Sequence, residues 1–188
     1  MAFDVTTFRT NLIGDGARPN LFDVQLQFPS FVQVGGTAAQ KSTLLVKASQ
    51  LPGSTIGIAP LFYFGREVKL AGNRTFADWT IQVINDEDYS VRNAFEQWVN
   101  GINDPIGNVR DPAATVVDGG YGSDAVVTQY SKTGDIIKQI NLVGMFPVDV
   151  APLDLDWGAN DTIQEYAVTL AYQYWFDPTF PVNTVSVG

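Results

Sequence analysis

The chain has 188 residues, of which 45% are hydrophobic, 12% aromatic and 16% charged, a size for one domain and a composition far from that of disordered chains. It holds no cysteine and no histidine, which excludes a disulfide framework, a thiol nucleophile, a thiolate zinc site and most hydrolase triads. Lys and Arg number 11 against 20 Asp and Glu, a net charge of −9, the wrong sign for gripping phosphates through counterion release.

Residues 1–20 carry Gly14, Gly16 and Pro19 among polar residues and read as an arm ordered by docking on another body. Phe22, Val24, Leu26 and Phe28 alternate with polar residues, the period-2 pattern of a strand with one buried face, which Pro29 ends. Residues 30–42 read as an inserted hairpin arm around Gly35-Gly36, with a strand following near Leu44 to Ala48. The turn Leu51-Pro52-Gly53-Ser54 leads to Ile56 to Phe64, where Gly57 and Pro60 indicate an irregular edge strand or loop.

Glu67 to Ala71 and Thr75 to Ile84 are expected to pair as a hairpin around Gly72-Asn73, with Trp79, Ile81 and Val83 on one face. Val91, Ala94, Phe95, Trp98, Val99 and Ile102 then follow helical spacing, with Asp86 to Asp88 placing negative charge at the start. This is the only strong helix expected. Residues 103–124 read as a long glycine-containing loop of the kind that is usually functional or mobile.

Strands resume at Ala125 to Tyr130 and Asp135 to Val143, joined by Lys132-Thr133-Gly134. The second carries apolar residues on both faces and asks for cover on both. Thr162 to Phe176 reads as one last long strand, and 177–188 as a tail. The result is a single domain over 1–188: a mainly β, β-rich α+β fold, an antiparallel β-sandwich or partly open barrel with one flanking α-helix.

No stretch approaches the roughly 18 apolar residues that span a membrane, and the first residues lack the basic-then-apolar build of a signal peptide, so assembly in a cytoplasm is expected. The carboxylates Asp154 and Asp156, facing the same way if extended, and Asp86 to Asp88 are the groups that glycoside hydrolysis would need; Trp157 is the one nearby sugar platform. Solvated or interface charge is the better reading. Asn85 to Asp88 lacks the spacing of a calcium loop, and the glycines form neither a P-loop nor a dinucleotide fingerprint. Trp79, Tyr166, Tyr172, Tyr174 and Trp175 are read as core in preference to a ligand groove. No catalytic residue, metal or cofactor is assigned. A carbohydrate-binding or hydrolytic β-sandwich module is the alternative from another class.

Ala17 to Phe22, Lys47-Ala48 with Leu51-Pro52-Gly53, and above all Val68 to Thr80 resemble the tail tube proteins of contractile-tailed bacteriophages. Gly144 to Pro147 and Leu153 to Trp157 match as well. The resemblance implies a structural, non-enzymatic subunit, six to a ring, with rings stacking into the inner tube of a virion tail. It also implies partners: further copies of itself, a sheath protein, a baseplate initiator, a tape measure protein, and DNA in transit without specific binding. Related tubes occur in type VI secretion and in phage-derived injection devices.

Physical reasoning fits that expectation. Strands about 4.8 Å apart need to number roughly two dozen to enclose a channel of about 40 Å, more than one chain supplies, and ring closure pairs sheet edges that otherwise aggregate. An acidic wall lets DNA slide. Lumen-facing candidates are Asp23 and Glu165; ring-stacking candidates are Ile56, Ile58, Leu61 and Phe62.

Overall fold

The computed structural model describes residues 4–114 and 120–179. Among these, a seven-stranded antiparallel sheet system runs β1-β6-β7-β8-β5-β2, with β9 on β7, and β3 and β4 form a separate two-stranded ribbon. The strands are β1 Phe22–Leu26, β2 Val46–Ser49, β3 Thr55–Tyr63, β4 Arg66–Thr75, β5 Trp79–Ile84, β6 Ser123–Tyr130, β7 Ile136–Val150, β8 Glu165–Ala171 and β9 Tyr174–Phe176. β1 and β2 end the order without pairing each other, so no barrel closes. The mainly β, α+β expectation holds.

β7 joins the two halves. Its first part pairs with β6 and β9, and Phe146 to Val150 pair with β8. The change of partner falls between Met145 and Phe146, next to Gly144, which has a positive φ of 64°. A Cβ there would lie 2.9 Å from Gln173 Cγ, so glycine is required both for the turn of the backbone and for the close approach.

Alternation on β5 places Trp79, Ile81 and Val83 in the core, facing Tyr166, Val168 and Leu170 of β8. The helix α3, Ser90–Ile102, buries Val91, Ala94, Phe95 and Trp98 on one stripe as its periodicity predicts. Phe28 meets Phe95 and Trp98 edge-on at 5.3 and 5.5 Å between centroids. The N-cap position is Tyr89, which makes no side-chain cap bond; Asp88, one residue before it, accepts the Ser90 N–H at 3.0 Å and so satisfies the first free donor of the helix.

Several expectations are corrected. Residues 30–42 are not a hairpin arm: Gly35–Leu45 form a second helix, α2, which also takes Leu44 out of the expected strand and leaves β2 to begin at Val46. It presents small residues, Gly35, Ala38 and Ser42, to the core, and the Ser42 hydroxyl accepts the Leu26 N–H at 3.2 Å. Lys41 on α2 bonds to Asp86 at 2.6 Å and also to Asp88, tying the two helices' ends together.

The arm holds a third helix, α1, Val5–Asn11, capped by Asp4 through Thr6 N at 2.9 Å, with every residue exposed. The strand expected from Thr162 to Phe176 is broken: β8 ends at Ala171 and β9 pairs with β7 instead. Ile136 and Ile137, expected to ask for cover on both faces of β7, are exposed at its start, while Ile140 and Leu142 are buried. Parts of the loop 103–124 and of the tail 177–188 lie outside the described residues.

Candidate self-assembly surfaces

A further correction concerns the hairpin. Thr75 to Ile84 does not pair with Glu67 to Ala71 around Gly72-Asn73. Instead β4 runs straight through Gly72 and pairs along its length with β3, from Thr55↔Thr75 to Tyr63↔Arg66. The segment read as irregular is therefore a nine-residue strand, interrupted by one bulge between Ile56 and Ile58. The true turn is Phe64-Gly65, with φ of 46° and 78°, the positive pair that a two-residue hairpin loop demands. Gly72 packs backbone to backbone instead: a Cβ there would lie 3.0 Å from the Gly57 oxygen.

Every residue of both strands is exposed. The register puts Ile58, Pro60, Phe62, Glu67 and Lys69 on one face of the ribbon, and Leu61, Tyr63, Val68 and Leu70 on the other. Of the stacking candidates, Ile58 and Phe62 thus share one face, Leu61 lies on the opposite one, and Ile56 sits beyond the bulge opposite Arg74. Phe62 is 70% exposed and Phe64, at the tip, 92%. The ribbon carries apolar residues beside a few charged ones on both faces and leaves both exposed.

Its foot is firmly held. The Trp79 indole N–H donates to the Gln50 oxygen at 2.8 Å, and the Trp175 N–H donates to Gly53 at 3.1 Å. Phe76 lies 5.9 Å from the Tyr172 ring. Trp79 and Tyr166 are core residues as expected, with Tyr172 and Trp175 packed at its margin, whereas Tyr174 is exposed.

The β5–β8 ladder has a second end. Trp79 faces Leu170 at the hairpin foot, and Ile84 faces Glu165 at the other end. From that far end the loop 151–164 emerges, held by Ala151 N on Ala167 and by Asn85 N on the Gln164 oxygen at 2.9 Å. Asp154 and Asp156 lie on this loop and not on a strand, so no shared strand face aligns them. Asp156 accepts the Gly158 N–H at 2.9 Å. Leu155, Trp157 and Ile163 are exposed, Trp157 completely. Asp86 and Asp88 are engaged by Lys41.

The lumen candidates sit on different strands. Asp23, half-buried on β1, accepts the Tyr130 hydroxyl at 3.0 Å, and its other carboxylate oxygen is buried without a partner. Glu165, exposed at the start of β8, pairs with Lys47 at 2.6 Å. Among the described residues no group of three or more His, Cys, Asp or Glu side chains gathers to hold a metal ion, and no helix is long and apolar enough to cross a membrane.

Sequence reasoning weighed Trp157 as a sugar platform and Leu153 to Trp157 as a family match, and missed the far-end loop as an exposed apolar surface. An apolar triplet alternating with aspartates in a segment without strand pairing was the available signal.

Comparison with known proteins agrees with this reading. The tail tube protein gp19 of Enterobacteria phage T4 is 36% identical over 167 residues, covering 86% of this chain and 92% of that protein. The anti-feeding prophage tube-terminating cap superposes with a TM-score of 0.60 at 15% identity, covering 86% and 89% of the two chains. A chain of the sheath-tube complex of an extracellular contractile injection system, in its extended state, gives 0.57 at 11% identity over 94% and 98%. The model of the phage tail tube protein family matches residues 17–177. The chain belongs to the phage tail tube protein family, as a structural component of the tail and not an enzyme.

Proposed function

We propose that this chain is a single tail-tube domain that closes into hexameric rings, and that the rings stack into the hollow inner tube of a contractile tail. The observation that carries the proposal is the β3–β4 ribbon, which has large apolar residues on both faces and every residue exposed. A lone two-stranded ribbon is marginal in water, and apolar surface of this kind signals an interaction site. Cover comes from a neighbouring ring through Ile56, Ile58, Leu61 and Phe62. The arm 1–20, whose helix exposes Val5 and Phe8, docks in the same way.

DNA then passes along the channel without specific binding. The net charge of −9 supports this, because a wall of carboxylates offers phosphates no counterion-release gain. Asp23 and Glu165 are the lumen-facing candidates. The further partners are a sheath protein, a baseplate initiator and a tape measure protein, with assembly in the host cytoplasm. The sheath-tube complex among the fold relatives supports the first of these.

Replacing Phe62 by Asp tests the proposal. The expected result is a folded monomer, by circular dichroism and melting, that forms no tubes under negative-stain electron microscopy. Tube growth at the wild-type concentration would remove Phe62 and its ribbon from the stacking contact.

A further inference from the structure

We propose that the surface receiving the ribbon is the 151–164 loop of a second copy of this chain, in the next ring, so that rings add head to tail. The inference rests on the reading of the ribbon as a stacking element and names what it stacks upon.

Three observations converge. The first is position. The ribbon's foot lies at the Trp79↔Leu170 end of the β5–β8 ladder and the loop at the Ile84↔Glu165 end. Six residues of strand at about 3.3 Å each put about 20 Å between them. Two complementary surfaces at opposite ends of one rigid ladder make a heterologous contact, which repeats without closing and so builds filaments.

The second is apolar content. Leu155, Trp157 and Ile163 are exposed on the loop, and Trp157 is 100% exposed. Aromatic residues of this kind anchor interfaces, and the Phe62, Tyr63 and Phe64 tip offers matching rings.

The third is charge. In an acidic chain the ribbon is basic, with Arg66, Lys69 and Arg74 against Glu67 alone, whereas the loop carries Asp154, Asp156 and Asp161 and no basic residue. Among the described residues these basic side chains form no ion pair, and the three aspartates have no basic partner. Of the other carboxylates of that end, Asp86 and Asp88 share Lys41 and Glu165 pairs with Lys47, while among the described residues the exposed Glu87 has no ion pair and adds to the negative charge. Uncompensated charge of opposite sign is thus left on the two surfaces proposed to meet, which sets polarity and register as well as on-rate.

The test uses the full chain in four forms: Trp157→Ala; Asp154→Lys with Asp156→Lys and Asp161→Lys; Arg66→Glu with Lys69→Glu and Arg74→Glu; and the two charge reversals combined. Each is followed by light-scattering mass and negative-stain microscopy over a concentration series, with and without a baseplate initiator. Trp157→Ala alters a fully exposed residue and leaves the fold intact. It and each single-surface reversal are expected to raise the concentration needed for tubes at least tenfold, and the combined reversal to restore growth.

Salt is expected to weaken wild-type stacking and to leave the combined variant equally sensitive. Wild-type growth by the Trp157 and loop variants, while Phe62→Asp stays monomeric, would overturn this inference and leave the ribbon's role standing. The same overturning follows if the combined reversal recovers nothing. Growth by Phe62→Asp, or a wild-type chain monomeric at every concentration with initiator present, would bring down the stacking reading itself.

Discussion

The Trp79 indole donates to the backbone oxygen of Gln50 at 2.8 Å, and this bond joins the buried core to the exposed ribbon. Trp79 is 2% exposed; its ring fills the core while its one polar atom fastens the chain just before the ribbon begins. A core residue thereby anchors the segment that leads into the ribbon.

Trp79→Phe keeps an aromatic ring in the core but leaves the Gln50 oxygen without its donor. We expect a loss of about 2 kcal/mol in stability, from the lost bond and the smaller ring together. The protein stays folded at 25 °C, and tube growth requires a higher concentration because the segment leading into the ribbon is no longer anchored. Denaturant melts paired with light scattering check both parts.

Phe64 holds a left-handed conformation, φ 46°, at the first loop position of the ribbon, where a bulky residue is strained and asparagine is at ease. Phe64→Asn is therefore expected to hold or slightly raise the melting temperature while weakening assembly. A variant that is at least as stable and stacks less well identifies Phe64 as a residue kept for contact at a cost in backbone energy. Unchanged assembly would show that its ring is idle.

The pairing of Lys41 with Asp86 and Asp88 predicts a pH dependence. Hydrogen bonds from Lys41 first, and from Ser90 next, hold the Asp88 carboxyl well below its ordinary 3.8. A depressed carboxyl contributes stability that is present above 3.8 and lost as pH falls through its folded value. Asp88→Asn keeps an acceptor for Ser90 and removes the charge. Its melting temperature is expected to fall less steeply than wild type below about pH 4 and to lie below wild type near neutrality.

Much of this architecture is legible in the sequence wherever one face of an element is covered by large apolar residues. β5, β8 and α3 carry Trp79, Ile81, Val168, Phe95 and Trp98 at the spacing their geometry requires, and all are buried. α2 is hidden because it turns small residues inward and opens on Gly35-Gly36, leaving no apolar period to detect and a false turn signal. The ribbon is misread for a related reason. Gly72-Asn73 looks like a hairpin turn, yet Gly72 serves a close backbone approach to Gly57, and the turn sits at Phe64-Gly65, a pair without the usual asparagine or aspartate. Which apolar residues are left exposed for another copy depends on strand pairing, and pairing is settled only when the whole chain competes for partners.

The central claim is self-assembly, and the most direct test is negative-stain electron microscopy of the purified full chain across a concentration series, with light-scattering mass on the same samples. Rings or hollow tubes, at masses that are multiples of the single chain, are the predicted result. A uniform monomer at every concentration, unchanged when a baseplate initiator is added, would contradict the account.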